Sequence, residues 1–263
     1  MSVCLEALIF DVDGTLADTE EAHRQAFNAA FREHGLDWYW SPQRYLALLE
    51  VTGGKERIRH YLDMLGWRNA QRDVVADAIP AIHATKTHLY ATALATGAIR
   101  LRDGVATVLR AARQRGIRLA IATTTSPANV VALLNCTLGA DAEAWFDVIA
   151  AGDVVQHKKP APDIYRLALA ELGTRPACCV AIEDSANGLE AARAAGIRTA
   201  VMPCQWTEHQ DFSAADLIVR RPVAHASRGS GDSDDSHVPH CATLDLGRLE
   251  ALVTRSKPLG EKT

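Results

Sequence analysis

Two aspartates separated by a single residue, Asp11 and Asp13, follow a short apolar run at positions 7–10. Four apolar residues that end at a polar group are typical of a buried strand, which carries the next side chains to the edge of a sheet. Carboxylates at such an edge can bind a divalent cation, attack an electrophile or exchange protons with a substrate. The run DVDGT at positions 11–15 is therefore the first candidate for a site of chemistry.

Three further predicted strands also end in polar side chains. They lie at positions 117–122, 148–150 and 179–182. The polar residues that follow them are Thr123, Lys158, Lys159, Glu183 and Asp184. Because ligands bind beyond the carboxyl ends of the strands in doubly wound parallel sheets, we expect these side chains to surround one crevice together with the two aspartates.

This set of side chains suits phosphoryl transfer. A phosphate ester and a carboxylate nucleophile are both anionic, and Mg²⁺ held by Asp11 and Asp184 can cancel their repulsion. The Lys159 ammonium can hold both nucleophile and phosphate, while the Thr123 hydroxyl and nearby backbone N–H groups can bind a phosphoryl oxygen. Asp13 can protonate the leaving oxygen and later activate water, so the set is complete for a phosphotransfer centre.

The order of the predicted elements indicates the fold class. Helical and strand patterns alternate after position 104, which favours a parallel sheet with helices on both faces. Positions 18–95 carry helical patterns with few strand signals, so the predicted class is α/β, a doubly wound parallel sheet with a small all-helical cap inserted after the first strand. The predicted domains are a core at 1–17 plus 96–222, a cap at 18–95, and a C-terminal extension at 223–263 with a flexible loop at 224–240. Positions 244–253 regain apolar character and are expected to dock as a last strand or helix.

The polar strand ends resemble the four ordered motifs of the haloacid-dehalogenase-like hydrolases. The matching runs are DVDGT at 11–15, ATTTS at 122–126, KKPAPDIY at 158–165 and IEDSANG at 182–188. The resemblance covers residues 5–220 and implies a Rossmannoid core of the HAD-like type, a bound Mg²⁺ and an aspartyl-phosphate intermediate.

The resemblance also implies a role for each matching residue. Asp11 is expected to be the nucleophile, and Asp13 the general acid and base. Thr123 and Lys159 are expected to bind the phosphoryl group. The expected metal ligands are Asp11, Asp13 through its backbone carbonyl, Asp184, and Glu183 acting directly or through a neighbouring ligand. An ordinary acidic strand end remains the alternative for Glu183.

Three other segments narrow the resemblance to the CbbY-type branch, which is close to β-phosphoglucomutase. They are Leu36–Ser41, Val51–Ile58 and Asp211–Asp216. CbbY-type proteins act on xylulose 1,5-bisphosphate, an inhibitor of Rubisco in the Calvin cycle. The resemblance therefore implies a metabolite-repair phosphatase that converts this sugar bisphosphate to xylulose 5-phosphate.

A bisphosphate needs a second set of cations and N–H donors for its distal phosphate. Thr52, Gly53, Gly54 and Lys55 can form that cradle, and Arg57 can grip phosphate through two N–H groups. The other expected substrate contacts are Asp13, Asp18, Lys86, Thr124 and Thr125.

Several of these assignments have competing interpretations. Asp18 stands where the CbbY pattern has glutamate, and it is expected to meet sugar hydroxyls or to orient Asp13. Lys86 matches a cap lysine of the mutase relatives, and a solvated helical lysine is the alternative. The alternative for Arg57 is a surface charge of the cap. Aromatic residues 38–40 are expected to pack the cap rather than to stack on sugar. The cap histidines, His23 among them, are expected to be surface or core residues.

Other functions remain to be separated from this one. A calcium loop starting at Asp11 would need a carboxylate at Ala22, and the run before Lys55 lacks the earlier glycine of a P-loop. A sugar phosphomutase and a phosphoglycolate phosphatase use the same chemistry and stay open. A non-catalytic phosphosugar sensor is disfavoured, because it would need neither a nucleophile nor a general acid.

The composition sets the remaining expectations. A net charge of -4 and a pI near 6.2 give no basic field for nucleic acid or a membrane surface. The sequence contains no signal peptide pattern, and its six cysteines show no metal-binding or disulfide spacing. We therefore expect a cytoplasmic monomer that acts on a small molecule.

Overall fold

A computed structural model describes residues 4–68, 70–97, 99–220 and 238–254. The strands in these residues are β1 (Ala7–Phe10), β2 (Arg118–Thr123), β3 (Val148–Ala151), β4 (Cys179–Glu183), β5 (Arg198–Val201), β6 (Leu217–Val219) and β7 (His240–Cys241). They form one parallel sheet in the order β3-β2-β1-β4-β5-β6-β7. The first strand therefore lies inside the sheet, with later strands added on both sides.

Helices cover both faces of this sheet. They are α5 (Val105–Gln114), α6 (Pro127–Leu138) and α9 (Leu246–Thr254) on one face, and α7 (Asp163–Leu172) and α8 (Ala186–Ala194) on the other. The β1 side chains alternate between the two cores, with Leu8 and Phe10 in the first and Ala7 and Ile9 in the second. A strand buried on both faces is the expected result of a doubly wound sheet, so the predicted fold class is confirmed.

The segment between β1 and α5 folds as helices α1 (Glu20–Glu33), α2 (Pro42–Leu48), α3 (Gly54–Met64) and α4 (Ala70–Leu94), which we call the cap. These helices enclose an aromatic cluster in which Trp38 and Trp40 are buried, whereas Tyr39 is 68% exposed. Trp40 packs on Phe27 and Phe31 with ring centroids 4.8 Å apart. The two tryptophans therefore pack the cap, as expected.

The C-terminal part of the sheet differs from the sequence prediction. Strand β6 pairs with β5, and His240, inside the predicted loop, begins β7. The rest of that loop, at 224–237, lies outside the described residues. Residues 246–254 form a helix, not a strand, and Leu249 and Val253 are buried in the first core. The exact domain limits stay a prediction. No described helix is long and apolar enough to cross a lipid bilayer.

Candidate active site

The register of the central strands brings the predicted site together. Phe10 of β1 pairs with both Ile121 of β2 and Ile182 of β4, so the next residues of all three strands emerge at one edge. The Asp11 N–H donates to the Ile182 carbonyl at 3.0 Å, which fixes the first residue beyond the strand. Asp11 and Glu183 then occupy the same level of the sheet and, by the strand alternation, the same face.

One cavity of about 120 Å³ lies where the cap faces this edge, which suits a small metabolite better than a macromolecule. The predicted residues that line it from the core are Asp11, Asp13, Thr123, Thr124, Thr125, Lys159 and Asp184. Those from the cap are Thr52, Gly53, Gly54, Arg57 and Lys86. Core and cap thus contribute to the same cavity, as the sequence predicted.

Lys159 joins two buried acids at the base of the cavity. Its ammonium donates to Asp11 Oδ1 and to Glu183 Oε1, each at 2.6 Å. The Tyr165 hydroxyl of α7 donates to the same Glu183 oxygen. Burial raises the pKa of Asp11 to about 7, although the Lys159 charge opposes this rise. Lys159 therefore provides a positive charge that favours the ionised form of the buried Asp11 carboxylate.

Carboxylates from two strand ends form a cluster suited to a cation. One oxygen each of Asp11, Glu183 and Asp184 lies within 4.8 Å of the others, and all three residues are buried. Burial, reinforced by the neighbouring Asp11 and Glu183, raises the pKa of Asp184 well above its usual value. Among the described residues, no ion pair involves Asp184, whose hydrogen bond comes from the Cys204 thiol at 3.3 Å. Three clustered carboxylates that share the single positive charge of Lys159 are oxygen donors of the kind that fits Mg²⁺.

Gly14 allows the loop after β1 to approach this cluster. Its φ of 76° lies in the left-handed region, and a Cβ atom there would lie 2.2 Å from Asp184 Oδ2. A side chain would therefore be strained and would also displace a predicted metal ligand.

The Asp13 carboxylate is held by groups from both the core and the cap. The Thr19 hydroxyl donates to Oδ1 at 2.6 Å, the Thr125 hydroxyl donates to Oδ2, and the His23 ring Nε2 lies 2.8 Å from Oδ1. Burial by itself would raise the pKa of Asp13, but His23 and the two hydroxyls outweigh it and hold the pKa below its usual range. These contacts therefore favour the ionised form of Asp13.

His23 connects Asp13 to the cap and was missed by the sequence analysis. Its ring stacks on Tyr90 with centroids 3.9 Å apart, and the Lys86 ammonium lies 2.6 Å from its Nδ1. A lysine ammonium can only donate hydrogen bonds, so His23 Nδ1 accepts from Lys86. The ring proton of His23 then lies on Nε2, which donates to Asp13. Lys86 is buried, and burial lowers its pKa to about 8. The solvated alternative for Lys86 is therefore wrong. His23 is buried, in line with a core assignment, but it also lines the cavity.

Glu20 is a second cavity residue that the sequence analysis missed. Its Oε2 accepts a hydrogen bond of 2.6 Å from the buried Tyr45 hydroxyl. Arg57 donates to that hydroxyl at 3.2 Å and, through Nε, to the Leu48 carbonyl at 3.1 Å. Arg57 is thus fixed at the cavity wall, and the surface-charge alternative for it is wrong. The spacing of Glu20 and His23, one helical turn apart at the start of α1, was the available signal.

Two predicted substrate contacts lie elsewhere. The Asp18 side chain is 68% exposed, does not line the cavity and lies 3.6 Å from Arg102. The following residue, Thr19, takes the place beside Asp13 that was assigned to Asp18. Lys55 does not line the cavity either, because its ammonium pairs with Asp153 of the core. The further lining residues outside the prediction are Phe27, Leu49, His83, Ser126, Asn129, Ser185, Asn187, Thr207 and Gln210.

A family model supplies the decisive comparison. The model for haloacid dehalogenase-like hydrolases matches residues 5–196 of the chain. The chain belongs to the haloacid dehalogenase-like hydrolases. Its sequence is 50% identical to the protein CbbY of Cereibacter sphaeroides over 215 residues, which cover 82% of this chain and 91% of the relative. It is 52% identical to CbbY of Rhodobacter capsulatus over 212 residues, or 81% and 91% of the two chains.

Solved structures agree with this placement of the hydrolase. A CbbY mutant from Rhodobacter sphaeroides, in complex with xylulose 1,5-bisphosphate, is 48% identical and superposes with a TM-score of 0.76 over 82% of this chain and 93% of that one. A β-phosphoglucomutase from Clostridium difficile, at 22% identity and a TM-score of 0.65 over 82% and 91%, shares the fold. The hydrolase is thus a phosphatase of the CbbY-type branch.

Proposed function

We propose that this CbbY-type phosphatase hydrolyses a small sugar bisphosphate, and specifically converts xylulose 1,5-bisphosphate to xylulose 5-phosphate. The observation that carries the proposal is the presence of cationic side chains at both the core and the cap sides of one cavity. Lys159 lies beside Asp11, while Arg57 and Lys86 come from the cap. The same sugar bisphosphate occupies the structure of the related CbbY protein.

In the proposed reaction, Asp11 attacks phosphorus and becomes an aspartyl phosphate while the sugar oxygen leaves. Asp13 in its protonated form gives a proton to that oxygen and then, as a carboxylate, takes a proton from the water that hydrolyses the intermediate, which restores its protonated form for the next cycle. Lys159 and the Thr123 hydroxyl bind phosphoryl oxygens. Asp11, Asp184 and the Asp13 carbonyl, supported by Glu183, would hold Mg²⁺. When bound, this ion would neutralise charge on the phosphate and on the nucleophile.

The carboxylate of Glu20 supports a sugar as the substrate. Tyr45 donates to one of its oxygens, and the carboxylate faces the cavity that contains both phosphate-binding sides. An ionised carboxylate accepts hydrogen bonds from sugar hydroxyls but repels a second carboxylate. Glu20 therefore favours a polyhydroxylated ester over phosphoglycolate.

The substrate proposal is tested by phosphate release from purified enzyme with Mg²⁺. We expect kcat/KM for xylulose 1,5-bisphosphate to exceed that for β-glucose 1-phosphate and phosphoglycolate by about tenfold or more, because charge-assisted hydrogen bonds to the distal phosphate each contribute about 1.5–3 kcal/mol. An Arg57→Ala variant should lose most of this preference, whereas Asp18→Asn should keep it. Equal efficiency on all three esters would contradict the proposal, and isomer formation without phosphate release would indicate a mutase.

Removal of divalent cations is expected to stop phosphate release and to lower the melting temperature. The three clustered carboxylates repel one another, so saturating Mg²⁺ should raise Tm by about 5 °C or more. Differential scanning fluorimetry with and without a chelator measures this shift independently of activity. The shift should vanish in Asp184→Asn and persist in Asp18→Asn; an unchanged shift in Asp184→Asn would rule out the assigned ligand.

A further inference from the structure

Four charged side chains lie in a row where the start of α3 meets the loop after β3. Lys158 Nζ of the core lies 2.8 Å from Glu56 Oε1 of the cap and 2.8 Å from Asp153 Oδ1 of the core. The second Asp153 oxygen pairs with Lys55 of the cap. The charges alternate in sign along the row, and the two outer ion pairs each connect the cap to the core.

This row lies directly against the backbone that lines the cavity. Gly53 has a φ of 97°, and a Cβ atom there would lie 2.2 Å from Glu56 Oε2 and 2.9 Å from Lys158 Nζ. On the other side of the same segment, Asn187 of α8 donates to Thr52 Oγ1 at 3.2 Å. The absence of a side chain at Gly53 thus lets the charged row reach the cavity wall.

We propose that Lys55, Glu56, Asp153 and Lys158 form a charged clasp that holds the cap closed and positions the Gly53–Gly54 backbone at the cavity. These four are positioning residues, because none of them lines the cavity. Closure of a cap over the site excludes water and completes the binding groups. This proposal requires only that the protein is a phosphatase whose cap closes over the site, and it does not require a particular sugar phosphate as substrate.

The exposure of the row suits a clasp that opens in every turnover. Asp153 and Glu56 side chains are 53% and 43% exposed, and an exposed ion pair changes an equilibrium by no more than about fivefold. Lys158 is more shielded, at 13%, and it links the two acids. Together the pairs should shift the closing equilibrium by about three- to tenfold, and salt should weaken them.

The clasp is tested in the full chain with Asp153→Asn, which breaks the Lys55–Asp153 pair between cap and core and the Lys158–Asp153 pair within the core. A smaller closed population raises the apparent dissociation constant in proportion, so KM for xylulose 1,5-bisphosphate should rise about two- to fivefold while kcat changes by less than about twofold. Added NaCl should raise KM further in the wild type than in the variant. Backbone amides of residues 50–56 should exchange hydrogen faster in the variant, with and without inorganic phosphate. Asp153→Glu should restore all three properties.

Glu250→Gln provides the matched control. It breaks the exposed Arg115–Glu250 pair at 2.9 Å, which connects α5 to α9 within the core, and should leave KM, salt dependence and exchange unchanged. Wild-type behaviour in Asp153→Asn, or the same changes in Glu250→Gln, would overturn the clasp. If the wild type fails to hydrolyse the bisphosphate, the substrate proposal fails, whereas the exchange measurement still decides for or against the clasp.

Discussion

An Asp11→Asn variant is expected to release phosphate from sugar phosphates about 10⁴-fold or more slowly than the wild type, as is typical when a covalent nucleophile is removed. Asp11 Oδ1 lies 2.6 Å from the Lys159 ammonium at the base of the cavity. Asparagine keeps the shape of the side chain but has neither the negative charge nor the nucleophilic oxygen. Single-turnover phosphate release with excess enzyme measures the loss directly.

Asp18→Asn is the matched control for this nucleophile variant. The change in composition is the same and lies seven positions further along the chain, but Asp18 is exposed and outside the cavity. We expect its activity to stay within about twofold of the wild type, in line with surface substitutions. Thermal unfolding should confirm that both variants are folded. More than a tenth of wild-type activity in Asp11→Asn would contradict its role as nucleophile.

The part of the site that lies in the core domain could be predicted from the sequence, because the ends of neighbouring parallel strands bring its side chains together. Asp11 and Asp184 each follow a short buried strand and Thr123 ends one, and the carboxyl ends of such strands meet at one edge. The side-chain alternation of β1 and β4 then places Asp11 and Glu183 on the same face. The positions of these residues depend on local sequence and on one general property of the sheet.

The cap side of the site depended on packing that no short pattern contains. Whether Asp18 or Thr19 reaches Asp13 is decided by how α1 leaves the core, because adjacent side chains point in different directions. His23 and Lys86 meet only because α1 packs against α4, although they lie 63 positions apart. Lys55 was assigned to phosphate because the sequence does not reveal that Asp153 faces it.

Two adjacent lysines show that a sequence motif does not predict every contact of the residues within it. Lys159 donates to Asp11 and Glu183, whereas the motif assigns no role to Lys158. The structure instead pairs Lys158 with Glu56 and Asp153 at the border of cap and core. Short strands posed a similar problem: β7 contains only His240 and Cys241, so its pairing with β6 leaves no hydrophobic pattern in the sequence.

Replacement of Asp13 by asparagine is expected to lower kcat for a sugar phosphate by about 10²- to 10⁴-fold, the usual contribution of a general acid and base. The carboxylate is ionised in this structure, held by Thr19, Thr125 and His23. It can therefore take a proton from water in the second step, whereas in the first step it must deliver one to the leaving sugar oxygen.

A substrate with a better leaving group distinguishes the two proton transfers in the Asp13→Asn variant. p-Nitrophenolate leaves without protonation, so the first step should remain fast with p-nitrophenyl phosphate while hydrolysis of the aspartyl phosphate stays slow. We expect a burst of roughly one equivalent of p-nitrophenol per enzyme, followed by slow turnover, which is the signature of an accumulating covalent intermediate. The Asp18→Asn control should show steady turnover with no such change. Equal losses on both esters without a burst would mean that Asp13 acts on phosphate binding and not on proton transfer.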